Sequence, residues 1–136
     1  MSDCIFCKIV VGDVPAEKIY EDDKVVAFLD ISPITKGHTL VIPKQHFKDI
    51  LDTPDEVLAD LISAVKKIAP SIKRGVGADG FNLGVNNGAA AGQVVYHLHF
   101  HIIPRFEYDN LKMWEGSSYA EGEMEDVGKK IRSYLQ

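Results

Sequence analysis

The sequence has 136 residues and a mass of 15.1 kDa, which is within the commonest size range of a single domain. Hydrophobic residues make up 46% and charged residues 26%, which is typical of a globular chain and excludes a mainly disordered or fibrous one. The 15 basic and 20 acidic residues give a net charge of −5, which argues against a general nucleic-acid coat but not against a small anionic ligand. We therefore expect one domain over residues 1–136.

Apolar runs in the sequence are short. Wholly apolar stretches such as Val25–Leu29 reach about five residues, whereas a membrane span needs about twenty. The first residues, Met1-Ser2-Asp3-Cys4, carry an early acid and lack the basic start and long apolar stretch of a secretory signal. The sequence therefore predicts a cytoplasmic protein without a membrane partner, whose two cysteines stay thiols or metal ligands.

The first half of the chain carries strand patterns and then a helix pattern. Segments 25–29 and 38–42 are rich in β-branched residues, and a turn-forming segment separates them, which predicts an antiparallel pair that Pro43 ends. Thr53-Pro54-Asp55-Glu56 has the residues of a reciprocal capping box, so a helix is predicted to begin there. Apolar residues follow at spacings of three and four, and Pro70 is expected to kink or shorten the helix end.

The second half of the chain predicts two more strands and a closing helix. Segment 80–86 alternates like a strand, a loop of small residues follows, and segment 94–103 is the longest strand candidate. Met124, Val127 and Ile131 recur at helical spacing, although Gly128 disfavours a helix there. Without βαβ alternation, these elements predict an α+β fold around an antiparallel sheet.

Three of the five histidines, His97, His99 and His101, alternate with apolar residues. On a strand, a period of two places the three imidazoles on one face and the apolar residues in the core. Neighbouring histidines would lie about 6 to 7 Å apart at Cα, too spread for one metal to bind all three. A row of this kind suits an extended anion such as a phosphate ester, with a nucleophile between flanking donors. The alternative from the residues alone is a satisfied or metal-binding pair of histidines.

The loop before the row, Asn87–Gly92, consists mainly of glycine and alanine. Small residues let backbone N–H groups approach phosphate oxygens, although such a segment is more often an ordinary turn. Its position next to the histidines favours a phosphate cradle.

The segment Gln93–Ile103 resembles the signature of the histidine triad family, in which three histidines alternate with apolar residues. The resemblance extends to the N-terminal Cys-Ile-Phe-Cys segment, to residues 28–33 and to residues 37–44, and covers about residues 1–105. It implies a homodimer whose antiparallel sheet of about five strands carries one long helix and a C-terminal helix. Residues 106–136 match less clearly and form a C-terminal extension.

The resemblance also implies residue roles in a hydrolase or transferase that acts at the α-phosphate of a purine nucleotide. His99 matches the nucleophile that forms a nucleotidyl-histidine intermediate. The flanking histidines match residues that contact the phosphate or hold the row, and Asp30 matches a carboxylate that binds the ribose hydroxyls. From the residues alone, Asp30 is more simply a turn former. The full set of implied site residues is His38, His97, His99 and His101 for catalysis, and Phe28, Asp30, Ile31, Asn86, Gln93, Val94 and Val95 for nucleotide binding.

One position departs from the family pattern. The phosphoramidase branch often has a serine five residues before the nucleophile, and here that residue is Val94. Protonation of the leaving group then falls to His101, His38 or water. Asn86 and Asp30 nevertheless resemble the phosphoramidase branch more than the dinucleoside polyphosphate hydrolases, so esters and amides of adenosine monophosphate are the favoured substrates.

The two cysteines form a Cys-x-x-Cys motif near the N-terminus. This spacing lets two thiolates share one zinc ion, and His46 and His97 are the histidines that can complete a tetrahedron, as in zinc-containing bacterial members of the family that the sequence resembles. Such a zinc would be structural, with no metal required for catalysis. The alternative is a pair of unligated thiols. At the level of function, the alternatives to an enzyme are a nucleotide-binding partner module and a histidine-rich metal carrier.

Overall fold

A computed structural model describes residues 3–135. Met1 and Ser2, the first two residues of the N-terminal segment considered above, lie outside the described residues. Five strands form one sheet in the order β1-β2-β3-β5-β4, and all neighbouring strands are antiparallel. The elements in chain order are α1 (Ile5–Val10), β1 (Lys18–Glu21), β2 (Val25–Leu29), β3 (Thr39–Pro43), α2 (Asp55–Val76), β4 (Gly80–Val85), β5 (Phe100–Arg105) and α3 (Glu123–Tyr134). The α+β fold predicted from the sequence is confirmed.

The sheet has a core on each face. Alternate residues of β2, β3 and β5 pack with the long helix α2 on one face, where Val25, Val41 and Ile102 are fully buried. The residues between them pack with the short helix α1 on the other face, around Phe6 and Ile42. Strand alternation therefore separates an α2 side from an α1 side, and His97, His99 and Cys4 lie on the α1 side.

The first strand pair is as predicted. β2 covers Val25–Leu29, β3 covers Thr39–Pro43, and the two are antiparallel in register, with Val25 opposite Pro43. β4 at Gly80–Val85 and the closing helix α3 also fall where the sequence places them. The helix α3 buries no side chain fully: Val127 is half-buried, whereas Met124 and Ile131 are exposed.

The long helix differs from prediction at both ends. The proposed capping box is wrong, because Pro54 is the N-cap residue and the Thr53 hydroxyl turns away to donate to the Asp49 carbonyl at 2.7 Å. The predicted shortening at Pro70 is also wrong. The helix continues to Val76 and ends at Gly77, whose φ of +69° is favourable for glycine. Buried Ile68 and Ile72 on either side of Pro70 pack on the sheet, and this packing outweighs one lost hydrogen bond.

The predicted strand over residues 94–103 is only partly correct. β5 begins at Phe100, and residues 94–99 are irregular. The reason is that this segment pairs with the loop after β3: the Leu98 N–H donates to the Phe47 carbonyl at 2.7 Å. The apolar alternation survives, since Leu98, Phe100 and Ile102 all lie in the core on the α2 side.

Within residues 3–135, no helix combines the length and the apolar character that crossing a bilayer requires.

Candidate active site and metal cluster

The three alternating histidines lie on the α1 side but have different surroundings. Only His101 belongs to β5, where it lies opposite Leu40 of β3. His97 and His99 are buried in the irregular segment before the strand. The rings of His99 and His101 lie 4.9 Å apart, whereas His97 points into a cluster with the two cysteines. The histidine row is therefore divided between two sites.

A chain of hydrogen bonds fixes the protonation of His38 and His101. The Ile34 backbone N–H donates to His38 Nδ1 at 3.0 Å, so the other ring nitrogen of His38 carries the proton. That N–H donates to His101 Nδ1 at 2.9 Å, which leaves the proton of His101 on Nε2. His101 Nε2 is buried and has no hydrogen-bond partner among the described residues. A buried N–H without a partner is costly, and a bound anion would satisfy it.

In His99 the free lone pair is on Nε2, whereas in His101 the nitrogen without a proton is Nδ1. His99 Nδ1 lies 2.8 Å from the His97 carbonyl, which can only accept, so Nδ1 carries the proton. The unprotonated nitrogen is therefore Nε2. A neutral imidazole held in this tautomer can act as a nucleophile through its free nitrogen. The neighbouring His101 ring carries the buried N–H that has no partner among the described residues.

Burial keeps these imidazoles neutral. It lowers the pKa of His38 and His99, in both cases against the opposing effect of Asp30. Burial, together with the neighbouring His99 and His38, lowers the pKa of His101 to about 4. The site therefore contains neutral donors and a neutral nucleophile at physiological pH.

We expect the free energy of unfolding to fall as the pH is lowered from about 6.5 towards 4. In this window the unfolded chain protonates its histidines, whereas burial keeps the folded pKa of His101 at about 4, so the unfolded state binds more protons. Each such group costs about 1.4 kcal/mol per pH unit. Urea unfolding at pH 7 and pH 5 measures the fall. In His101→Asn, the slope of the free energy of unfolding against pH should be smaller by the equivalent of about one bound proton. Equal free energies of unfolding at the two pH values would contradict the expectation.

Asp30, Phe28 and Ile31 lie at the end of β2. One carboxylate oxygen of Asp30 accepts from the Ser32 N–H at 2.8 Å, as a turn former does, and the other lies 3.7 Å from His38 Nε2. Phe28 is buried in the α1-side core, whereas Ile31 is 97% exposed. Phe28 is thus a buried residue beneath the end of β2, and Ile31 is an exposed residue beside it. The turn uses only one oxygen of Asp30, so the second oxygen can accept a hydrogen bond from a ligand.

The polar residues of the small-residue loop have separate positions. The Gln93 side chain is buried and all its polar atoms are bonded: its oxygen accepts from the Gly88 N–H at 2.9 Å, and its nitrogen donates to the carbonyls of Lys48 and Val95. This residue therefore holds the loop in place. Asn86 is half-buried at the loop entrance, and Val94 is 84% exposed.

A cleft of about 600 Å³ extends from His101 and Asn86 along β4 and β5. The segment after β5 forms its far wall, where Met113 and Trp114 line the cleft. Arg105 anchors this segment with two hydrogen bonds to the Asp109 carboxylate, at 2.7 and 3.0 Å, and the same bonds hold the pKa of Asp109 well below its usual range. The sequence analysis gave no role to Arg105, although an Arg-x-x-x-Asp spacing after a strand is a visible signal.

Cys4, Cys7, His46 and His97 converge in one cluster, with their ligand atoms within 4.8 Å of one another. The His97 Nε2–H donates to the Pro43 carbonyl at 2.8 Å, which leaves the Nδ1 lone pair facing the thiols. His97 Nδ1 lies 3.5 Å from each sulfur atom and 3.2 Å from His46 Nδ1. Tetrahedral zinc, with bonds of about 2.3 Å to sulfur and 2.0 to 2.1 Å to nitrogen, separates such ligand pairs by about 3.3 to 3.8 Å.

The charge state of the cluster also favours a cation. Burial, and then the hydrogen bond with Cys4, raise the pKa of Cys7 to about 11, so the thiolate form needs a positive charge to stabilise it. Burial lowers the pKa of His97 to about 4, which keeps its imidazole neutral as a ligand must be. The four residues thus fit a zinc ion in number, chemistry and spacing.

A second group, Asp30, His38 and His101, is also close enough to hold a metal. Here the two imidazoles share a proton along a direct hydrogen bond of 2.9 Å, so their nitrogens face each other and not a common centre. This group is therefore a proton-bonded pair beside a carboxylate.

Sheet order, histidine placement and the cysteine cluster together define a small α+β protein in which a group of buried histidines lies beside a cysteine–histidine cluster. The HIT domain family model matches residues 11–108, and the chain belongs to the HIT family. The chain is 42% identical over 135 residues to adenosine 5'-monophosphoramidase hnt1 of Schizosaccharomyces pombe, a match that covers 98% of each chain.

Solved structures agree with this assignment. SMU.412c of Streptococcus mutans superposes with a TM-score of 0.93 at 42% identity, over 100% of this chain and 87% of that one. A Zn-bound histidine triad family protein from Mycobacterium smegmatis has a TM-score of 0.79 at 40% identity, over 98% and 99% of the two chains. The predicted family and its five-stranded fold are thus confirmed.

Proposed function

We propose that the protein is a nucleotidyl hydrolase or transferase that acts at the α-phosphate of purine nucleoside monophosphate esters or phosphoramidates. The observation that carries this proposal is the pair of ring nitrogens on neighbouring histidines: an unprotonated His99 Nε2 and a buried, unpartnered N–H on His101. One can attack phosphorus while the other donates to a phosphate oxygen.

The reaction then has two displacements at phosphorus. His99 Nε2 attacks the α-phosphate, the new N–P bond forms, and the P–N or P–O bond to the leaving group breaks. The leaving group takes a proton from His101, His38 or water. Water then attacks the nucleotidyl-histidine and gives up a proton, which replaces the one taken by the leaving group. The N–P bond breaks, and the monophosphate is released with His99 neutral again. The metal cluster takes part in neither displacement.

The remaining implied residues would bind the nucleotide. We infer that Phe28 and Ile31 form a slot for the flat base, and that the second oxygen of Asp30 accepts from the ribose hydroxyls. The backbone at Val94 and Val95 would line the phosphate, with Asn86 at its edge. Gln93 would contribute by holding this loop, because its own amide is occupied.

The phosphoramidase activity named for the Schizosaccharomyces pombe relative supports a substrate with a P–N bond. Mixing the protein with an adenosine phosphoramidate and quenching within the first turnovers should give a mass increase of one adenylyl group, located on His99 by peptide mapping. A protein that releases the amine without this adduct, at any quench time, would contradict the intermediate.

Two alternatives give different results in the same assay. A dinucleoside polyphosphate hydrolase would form the adduct faster from a dinucleoside polyphosphate than from the phosphoramidate. A nucleotide-binding partner module would bind adenosine monophosphate but form no adduct and release no burst of leaving group.

We also propose that Cys4, Cys7, His46 and His97 hold one structural zinc ion. The ligand spacing supports this proposal, as does the Zn-bound neighbour from Mycobacterium smegmatis. The ion would tie the N-terminal segment to the loop after β3 and to the segment before β5.

We expect a homodimer in solution. The described residues after Asp109 leave several large apolar side chains uncovered, and a small monomer would expose them to water. They include Met113, Trp114, Met124, Ile131 and Tyr134, each more than half exposed. Light scattering at micromolar concentration should give about twice 15.1 kDa. A monomeric mass would refute the dimer.

A further inference from the structure

Phe6 lies between the two cysteines in α1, and its buried ring contacts three other rings. The ring centroid lies 5.5 Å from that of Phe28, 5.9 Å from that of His97 and 5.1 Å from that of His99. All three contacts are edge-on, with an angle of 87° between the rings of Phe6 and His99. One side chain of the N-terminal segment thus contacts both a proposed metal ligand and the proposed nucleophile.

Among residues 3–135, the Phe6 ring is one of two aromatic neighbours of the His99 ring, the other being His101. A single hydrogen bond, from Nδ1–H to the His97 carbonyl, holds the ring at one nitrogen. Rotation about the last side-chain torsion of a histidine has broad energy minima, so one hydrogen bond leaves the ring able to tilt. A perpendicular aromatic ring at contact distance limits that tilt and keeps Nε2 aimed in one direction.

The position of Phe6 in turn depends on the cysteine cluster. Helix α1 has six residues, and a helix this short is not stable without tertiary contacts. Its buried side chains are Phe6 and Ile9, and Val10 packs at the edge of the same core. Its remaining long-range links are the contacts of Cys7 and of the N-cap residue Cys4 with His46 and His97. Loss of the contacts in the cysteine cluster is therefore expected to make α1, and with it Phe6, less firmly held.

We propose that Phe6 is a positioning residue for the nucleophile, and that the cysteine cluster acts on His99 through it. When α1 is held by its thiols, the Phe6 ring presses on the His99 imidazole and holds Nε2 towards the phosphate. The inference rests on the nucleophilic role of His99 in the proposed function.

Phe6→Leu tests the positioning role, because it keeps an apolar side chain but removes the flat ring. We expect kcat to fall about 10- to 100-fold with KM within about twofold, since a small misplacement of a reacting group costs on the order of a hundredfold. Ile9→Val is the matched control: it removes apolar volume from the same helix and the same core but makes no ring contact with His99. It should leave both constants within about twofold. Should Phe6→Leu fail to fold, Phe6→Met gives the same test.

A second measurement does not depend on turnover. NMR can follow exchange with water of the His99 Nδ1–H proton, assigned by its loss in His99→Ala. This exchange should be at least several times faster in Phe6→Leu and in Cys4→Ser than in the wild type and in Ile9→Val. Combining Cys4→Ser with Phe6→Leu should add little to the effect of either one, because both act on the same contact.

Three results would overturn the proposal: wild-type kcat and exchange in Phe6→Leu, a loss in Ile9→Val as large as in Phe6→Leu, or wild-type exchange in Cys4→Ser. Failure of the proposed function gives a different result. In that case His99→Ala would keep its activity, whereas proton exchange in the wild type, Phe6→Leu and Cys4→Ser would still report whether Phe6 holds the His99 ring.

Discussion

His99→Ala is expected to abolish turnover, by roughly 10³-fold or more, while nucleotide affinity stays within a few-fold of the wild type. The substitution removes the attacking Nε2 but leaves His38, His101 and Asp30 in place to bind the phosphate and the ribose. Steady-state hydrolysis of an adenosine phosphoramidate and calorimetric binding of adenosine monophosphate measure the two quantities. Activity above about a hundredth of the wild type would exclude His99 as the nucleophile.

Chemical rescue is the control for this variant. His99→Gly leaves a ring-sized space next to the Phe6 ring, and free imidazole added to this variant should restore part of the turnover. Because free imidazole would carry the adenylyl group away from the protein, no adduct should then appear on the chain. The same addition should not accelerate the wild type.

Loss of the metal cluster is the second large effect that we expect. Cys4→Ser, or removal of metal by a chelator, should lower the melting temperature by roughly ten degrees or more, because a structural zinc site contributes several kcal/mol to folding. In a chain of this size about 1 kcal/mol corresponds to a few degrees. Differential scanning calorimetry of the two samples measures the loss.

Cys4→Ser also serves as the control, since a chelator should lower its melting temperature little further. Zinc added to active protein should not raise the rate, because no proposed step uses the ion. Elemental analysis of protein purified without an affinity tag should give about one zinc per chain. A metal-free folded protein with two freely titrating thiols would rule out the site.

Strong periodic patterns in the sequence were enough to predict most of the fold. β2 is an apolar run bounded by turn residues, and the stripe on α2 is long enough that its existence is unambiguous. The elements that the sequence analysis did not predict are α1 and β1, which have six and four residues. Segments this short carry too few residues for a period to be visible.

Errors occurred where distant contacts override local pattern. Residues 94–99 alternate like a strand, but the Gln93 amide and the Leu98 N–H attach this segment to residues 47 and 48, which the sequence cannot reveal. Thr53 has the residue type of a helix cap, yet its hydroxyl donates to the Asp49 carbonyl and does not cap α2. In both cases a hydrogen bond formed in the folded chain decided the local structure.

For the candidate site, residue type was informative and arrangement was not. The histidines and the two cysteines are visible in the sequence because their types and spacing are unusual. The division of the histidine row between two sites depends on backbone carbonyls at Pro43 and His97, which any residue could supply. Phe6 stands between the cysteines in the sequence, but only the folded chain shows that it touches His99.

The contact between Cys4 and His97 spans 93 positions along the chain, and it has a consequence for synthesis. During translation the thiols leave the ribosome long before the imidazole of His97, whereas β2, β3 and His46, which α1 and Cys7 also contact, follow them closely. Contacts between residues so far apart in the sequence form late in folding, because closing the long loop between them costs conformational entropy before the contact contributes any stability. The N-terminal segment can therefore dock on the first strands early, but its cluster of two cysteines and two histidines is complete only after His97 has been synthesised.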